Sequence, residues 1–270
     1  MSEDKANNSY RGRIAPTPSG FLHLGHIRTF RKAWERAKQA RGQLVLRMDD
    51  LDFARCTASF FDACIEDILG MGINWNEGPD IGGDYGPYAQ KMRSEIYLSV
   101  LRKLLDLNLI YPCVKSRKEI SSAGLMNSSG EEYLYPHHFR PLRSQWKKNE
   151  FPGAVNWRFA TQWEKEVSFN DQKMGIVNLK VGQEFSDFLV WRKDGFASYE
   201  LASVVDDYLM KITEVVRGED LLFSSARQCL LFDSLGWNRP DFFHCELVLG
   251  ADGKKLSKST RSLPRLFSTP

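Results

Sequence analysis

The 270-residue sequence predicts an α/β fold built on a parallel sheet, and three stretches carry that expectation. A short apolar segment around Ile14 leads into Pro16-Thr-Pro-Ser-Gly20 and then into a helix-period run, Ile27, Phe30, Ala33, Trp34 and Ala37. Gln43-Leu-Val-Leu-Arg-Met48 follows, a compact apolar run suited to a strand buried on both faces. Phe60, Phe61, Cys64, Ile65, Ile68 and Leu69 then recur at helical spacing as far as Gly70. Strands that alternate with helices in this order form βαβ units, whose crossovers place helices on both faces of a parallel sheet.

The spacing of Ile96, Tyr97, Leu101, Leu104 and Leu105 predicts a further helix over Ala89–Asn108. From Cys113 the pattern breaks into Ser, Gly, Glu and Pro, with short strand-like pieces at Val155–Phe159 and Gly175–Leu179. It resumes with the apolar run Phe185–Arg192, a Lys193-Asp-Gly195 turn and a helix entered near Ser198. The expected organisation is therefore residues 1–112 as the first half of a catalytic α/β domain, 113–184 as an inserted α+β subdomain, and 185–270 as the second half. In such a topology ligands collect at the carboxyl ends of the strands, at the switch point of the sheet. His23, Asp49, Tyr199 and Arg217 each follow a predicted strand and are expected to converge there.

Composition narrows the class. No apolar run approaches the roughly 20 residues of a membrane span, and the polar first ten residues carry no signal-peptide core, so a cytoplasmic monomer is expected. Cys56, Cys64, Cys113, Cys229 and Cys245 are odd in number and widely spaced, which argues against a disulfide framework. The net charge is only +3, but residues 113–150 carry seven Lys/Arg against four Asp/Glu, and residues 250–270 five against one. A basic surplus held in two segments suits contact with phosphates at defined places.

The chemistry is concentrated in two motifs. His23-Leu-Gly25-His26 sits at a strand-to-helix turn, where unpaired N–H groups and the positive end of the helix dipole favour a nucleotide phosphate. Gly25 lacks the Cβ that would keep a flat base from the backbone, and the two imidazoles can donate hydrogen bonds to triphosphate oxygens. Far along the chain, Gly250-Ala-Asp-Gly253-Lys254-Lys255-Leu-Ser-Lys258 is a basic loop whose ammonium groups can clamp a leaving pyrophosphate. Together they read as two halves of one nucleotide site.

On these motifs the chain resembles the class I aminoacyl-tRNA synthetases, whose HIGH and KMSKS signatures match His23–His26 and Lys255-Leu-Ser-Lys-Ser259. The likeness extends through Arg11–Gly20, Leu46–Asp52, Val204–Asp207 and Val216–Asp220, which are similar to the glutamyl-specific subgroup. That subgroup implies a Rossmann-type catalytic domain. Only residues 260–270 follow the second motif, which leaves no room for a large anticodon-binding domain; the expectation is a member of the short glutamyl-Q tRNA(Asp) synthetase family. The resemblance implies activation of L-glutamate with ATP and Mg²⁺, and transfer to the queuosine base in the anticodon of tRNA(Asp).

By resemblance, His23, His26, Lys255 and Lys258 are the catalytic set, and Pro16, Gly25, His26 and Lys258 contact ATP. Arg13 and Arg217 would grip the glutamate side-chain carboxylate, Asp49 the α-ammonium and Tyr199 a carboxylate, with Thr17 and Ser203 completing the pocket. Asp49 stands where the family usually has Glu, Thr17 where Ser is commoner, and Ser203 where the discriminating enzymes have Asn. Many members bind zinc through a C-x-C pair, a Tyr and a distant Cys. Here the second position is Lys115 and no late cysteine appears; an ammonium does not ligate Zn²⁺, so a zinc-free insertion is expected, with Cys113, His137 and His138 as the only residual donors. Three alternatives stay open at this level: a minimal glutamyl-tRNA synthetase acting on a tRNA 3′ end, a non-catalytic tRNA-binding remnant, and a small-molecule nucleotidyltransferase.

Overall fold

The computed structural model describes residues 9–146 and 151–247. Strand β1 (Arg11–Ile14) pairs in parallel with β2 (Gln43–Leu46), and α1 (Leu24–Gln39) crosses between them. The helix begins at His23, whose ring accepts the Gly25 N–H, and ends over Arg36 and Lys38, cations that suit the negative end of the dipole. Its inward face is Phe30, Ala33 and Ala37, the spacing read from the sequence. Next come α2 (Ala58–Gly70), capped by the Thr57 side chain, and α3 (Ser94–Asp106).

The helix expected over Ala89–Asn108 is interrupted. Gln90–Arg93 forms a 3₁₀ turn and α3 starts only at Ser94, because Arg93 is drawn inward: its Nε donates to Asp206 Oδ1 at 2.6 Å and its Nη1 to the Pro87 carbonyl at 3.0 Å. A buried guanidinium must find such partners, and here they override helical continuity.

Two further sheets complete the structure. Antiparallel β3 (Ile110–Cys113), β4 (Asn156–Phe159) and β7 (Phe188–Trp191) form one, and a short helix α4 (Arg117–Ser122) with a Ser116/Glu119 capping box follows β3. The other runs in the order β6 (Gly175–Lys180), β5 (Glu166–Asp171), β9 (Asp241–Cys245), β8 (Glu214–Gly218), and its β9 and β8 are parallel. Within residues 113–184, β4 pairs with β3 and β7, and the β5–β6 hairpin pairs through β5 with β9. The run expected over Phe185–Arg192 shortens to β7 because the Asp187 carboxylate turns aside to take hydrogen bonds from the Thr161 backbone and hydroxyl, Tyr111 and Arg140.

Helices α5 (Tyr199–Leu209) and α6 (Leu222–Leu235) pack on each other and contribute to the larger of the apolar cores. Gly236 ends α6 at φ 70°, the left-handed conformation that favours glycine. Strand β8 lies alongside β1, joined where the Thr213 N–H donates to the Arg11 carbonyl at 2.8 Å. Strands β1 and β8, each in a parallel pair of its own, are tied again near their carboxyl ends where Arg13 donates to the Val216 carbonyl. Among the described residues no helix is long and apolar enough to cross a membrane.

Candidate active site

At the carboxyl ends of β1 and β8 the chain encloses a cavity of about 470 Å³. The β1–α1 connection supplies Pro16, Thr17, His23, Gly25 and His26; the end of β8 supplies Arg217, Gly218 and Asp220; Arg13 and Asp49 reach it from below and Tyr199 from the first turn of α5. Three backbone bonds fix this architecture: Arg47 N–H to the Ile14 carbonyl, Asp49 N–H to that of Pro16, both at 2.9 Å, and Met48 N–H to that of Tyr88 at 2.8 Å.

The two histidines cap α1 reciprocally. His23 Nδ1 accepts the Gly25 N–H and His26 Nδ1 accepts the His23 N–H, each at 3.2 Å, and the rings stack with centroids 3.7 Å apart. With Nδ1 accepting on both, the neutral rings carry their proton on Nε2, where it can be donated to an anion at the helix N-terminus. A Cβ on Gly25 would meet His23 Cε1 at 3.0 Å and Nδ1 at 3.1 Å, so this glycine also makes room for the stacked imidazole.

The two arginines differ in their commitments. Arg13 is pinned, donating to the Val216 carbonyl at 3.0 Å and lying 3.4 Å from Asp207. Arg217 is 4 % exposed, rests on the Phe242 ring at 5.1 Å, and none of its three guanidinium nitrogens has a hydrogen-bond partner among the described residues. A buried guanidinium in that state is set to accept an anion. Asp49 is buried and bonded to Arg47, whose Nε lies 2.7 Å from Oδ1; Arg47 reaches Asp207 at the same distance with its Nη1. Burial pushes the Asp49 carboxyl up to about 6, against the opposing pull of Arg47 and Arg13.

Pro16, Gly25, His23, His26, Arg13, Thr17, Asp49, Tyr199 and Arg217 thus share one cavity. Ser203 does not line it: four residues along α5 from Tyr199, it is 2 % exposed, with its hydroxyl unpartnered among the described residues. Lys255 and Lys258 lie outside the described residues. The sequence reading left Arg47, Glu246 and Asp220 without a role. Arg47 and Asp49, two apart in an extended segment, share a side of the chain, and that spacing was the available signal.

The candidate donors of the insertion are held by other partners. Cys113 Sγ donates to the Tyr135 hydroxyl at 3.5 Å, while the Lys115 ammonium pairs with Glu119 at 3.0 Å and lies 4.8 Å from the Phe139 ring. His137 packs on Trp163 and His138 on Phe139, and among the described residues no three His, Cys, Asp or Glu side chains converge.

Comparison with known proteins agrees with this geometry. Residues 9–266 match the family described as tRNA synthetases class I (E and Q), catalytic domain. A glutamyl-Q tRNA(Asp) synthetase of Symbiobacterium thermophilum is 41 % identical, covering 92 % of this chain and 77 % of that protein; one from Nitratidesulfovibrio vulgaris is 38 % identical, covering 94 % and 79 %. The crystal structure of a glutamate-tRNA synthetase from Elizabethkingia anophelis superposes with a TM-score of 0.79 at 31 % identity; it covers 93 % of this chain, which spans about half of that one. With the fold, the paired histidines at the helix terminus and these likenesses in agreement, the chain belongs to the class I tRNA synthetases of the glutamyl and glutaminyl group and is a ligase-type enzyme.

Proposed function

We propose that the chain activates L-glutamate with magnesium–ATP to glutamyl-adenylate and passes the glutamyl group to the queuosine base of tRNA(Asp). The observation that carries the first step is the shared cavity: paired imidazoles at a helix N-terminus face an unpartnered guanidinium and a carboxylate. A dicarboxylic amino acid brings two anions and one ammonium to that set.

The glutamate side-chain carboxylate takes the two forks of Arg217 and Arg13, and its ammonium takes Asp49 with Tyr199 closing the rim. The α-carboxylate oxygen then attacks the α-phosphorus of ATP, forming the mixed anhydride as the bond to the pyrophosphate oxygen breaks. His23 and His26 stabilise charge building on the phosphate oxygens through their Nε2 protons, and Lys255 and Lys258 neutralise the pyrophosphate. Positioning and electrostatics supply the rate enhancement, so no side chain serves as nucleophile.

Transfer to a nucleic acid is supported by a second, larger depression that adjoins the first at Tyr199 and carries eight Lys/Arg against five Asp/Glu in its lining. Queuosine as acceptor is favoured over a tRNA 3′ end by the names of the two relatives at 41 % and 38 % identity, set against 31 % for the glutamate-tRNA synthetase. The test is glutamate-dependent ATP–pyrophosphate exchange in the wild type, His26→Ala and Lys258→Ala, followed by acylation of tRNA(Asp) with and without queuosine and of tRNA(Glu). Exchange lost in both variants and acylation confined to queuosine-containing tRNA(Asp) are expected. Undiminished exchange in the variants removes the activation step, and charging of tRNA(Glu) replaces the acceptor.

A further inference from the structure

Behind the cavity wall three polar side chains form a closed chain that the activation chemistry does not use. His244 Nδ1 lies 2.6 Å from Asp171 Oδ2, and His244 Nε2 lies 2.7 Å from Ser225 Oγ. All three are essentially inaccessible to solvent, at 1 % exposure or less. The order Asp, His, Ser suggests a hydrolytic triad, but no member lines the cavity, so Ser225 is out of reach of an acyl group.

What the chain does touch is the layer that carries Arg217. In the parallel pair β8–β9, Arg217 stands directly opposite His244, and Phe242, two residues earlier on the same face of β9, supports the guanidinium. The Phe242 and His244 rings lie 6.1 Å apart and nearly parallel. Asp171 comes from the end of β5, where its Oδ1 accepts the Lys173 and Met174 N–H groups and its Oδ2 also accepts the His244 N–H at 3.0 Å. Ser225 comes from α6. Three separate elements are thus tied together at one imidazole, directly beside the unpartnered cation of the site.

The charge of that imidazole matters because a second buried cation there would repel Arg217. Burial first, and then Arg217 itself, press His244 down to about 4 against the pull of Asp171 and of Asp220 beyond β8. A neutral ring bonded to Asp171 carries its proton on Nδ1, so Nε2 accepts from the Ser225 hydroxyl, whose one proton is shared with the Leu221 carbonyl 3.1 Å away.

We infer that His244, clamped between Asp171 and Ser225, is a positioning residue that fixes the orientation of Arg217 and so sets affinity and selectivity for an anionic amino-acid side chain. The inference rests on the reading that Arg217 holds the substrate carboxylate. A strand displaced by a fraction of an ångström would misdirect the guanidinium fork, and misplacement of about 1 Å at a positioned group costs on the order of 100-fold.

The experiment measures KM for glutamate, KM for ATP and the glutamate-to-glutamine ratio of kcat/KM in ATP–pyrophosphate exchange, for wild type, His244→Phe, His244→Asn, Ser225→Ala, Ser225→Thr and Arg217→Met. Expected are an increase of about 10- to 100-fold in KM for glutamate in His244→Phe and a smaller increase in Ser225→Ala, with KM for ATP held within about twofold. Recovery is expected in His244→Asn, which keeps a donor toward Asp171, and in Ser225→Thr, which keeps the hydroxyl. Should Arg217→Met leave KM for glutamate unchanged, the underlying reading fails and takes this inference with it. Should Arg217→Met raise it while His244→Phe and Ser225→Ala do not, the positioning role alone is overturned. If His244→Phe does not fold, the Ser225 pair decides by the same criteria.

Discussion

Replacing Arg217 with methionine should move stability and substrate affinity in opposite directions. In the free protein the guanidinium is buried at 4 % exposure with no hydrogen-bond partner among the described residues. An unsatisfied buried polar group costs about 1–3 kcal/mol, more when charged. Against this stands the stacking on Phe242 at 5.1 Å, worth roughly 0.5–2 kcal/mol. Methionine keeps much of the volume without the charge, so the balance centres near about 1 kcal/mol of stabilisation, between about −1 and 2.5 kcal/mol. In a chain of this size the central value corresponds to a Tm raised by about 2–4 °C.

In the glutamate complex the sign reverses, because the substrate carboxylate would be left in the cavity without its cation. Truncating one partner of a buried charge pair costs about 2–5 kcal/mol, or roughly 30-fold to a few thousand-fold in affinity. Thermal unfolding of the free variant and KM for glutamate in ATP–pyrophosphate exchange read the two effects separately. Arg13→Met is the internal contrast: Arg13 donates to Val216 and neighbours Asp207, so its removal should lower stability as well as affinity. A Tm several degrees lower in Arg217→Met with KM for glutamate unchanged would show that Arg217 is a structural cation, and the reasoning would be refuted.

Two predictions concern neighbouring groups. Asp49 ionises at about 6 and must be an anion to receive an ammonium, so kcat/KM for glutamate should be level above that pH and fall with unit slope below it, with KM for ATP unaffected. A profile flat down to pH 5 in the wild type contradicts this role. Its contribution to stability runs the other way: a carboxyl raised from 3.8 binds its proton more tightly in the folded state, so that contribution is present below 3.8 and is lost as pH rises through about 6. Gly25→Ala should raise KM for ATP by about tenfold, since the new Cβ would press on His23 at 3.0 Å, while Tm holds or rises because alanine favours the helix by about 1 kcal/mol. A lower Tm with KM for ATP unchanged would place the role of Gly25 in folding.

The parts of this site that were legible in the sequence are those whose neighbours in space are neighbours in the chain. His23, Gly25 and His26 form one turn, and their position after β1 follows from hydrophobic periodicity alone. Arg217 could be anticipated at the end of β8 from the apolar residues before it. Ser203 could not be placed, because whether a residue one turn from Tyr199 meets the cavity depends on the tilt of α5 against α6, which is set by long-range packing. The same limit hid the Asp171–His244 bond, which spans 73 residues, and the draw of Asp206 on Arg93, which spans 113 and breaks a helix the periodicity predicted as continuous. Local patterns report local energies, and a buried ion pair between distant elements can outweigh them.

On the proposed reading, the charges of the cavity favour an acidic amino acid over an amide. Arg47 is shared between Asp49 and Asp207, and Arg13 leans on Asp207 and a carbonyl. Among the described residues, that leaves Arg217 as a cavity-lining cation with no hydrogen-bond partner on any guanidinium nitrogen. A substrate carboxylate satisfies those donors and cancels the charge. A glutamine amide offers one oxygen and turns its own N–H donors against the guanidinium, so part of the burial cost of Arg217 stays uncompensated in the complex. Because that cost is already present in the free protein, selectivity comes from the relief that glutamate brings and glutamine does not. It should therefore collapse in Arg217→Met, through a loss of glutamate turnover, rather than a gain in glutamine turnover.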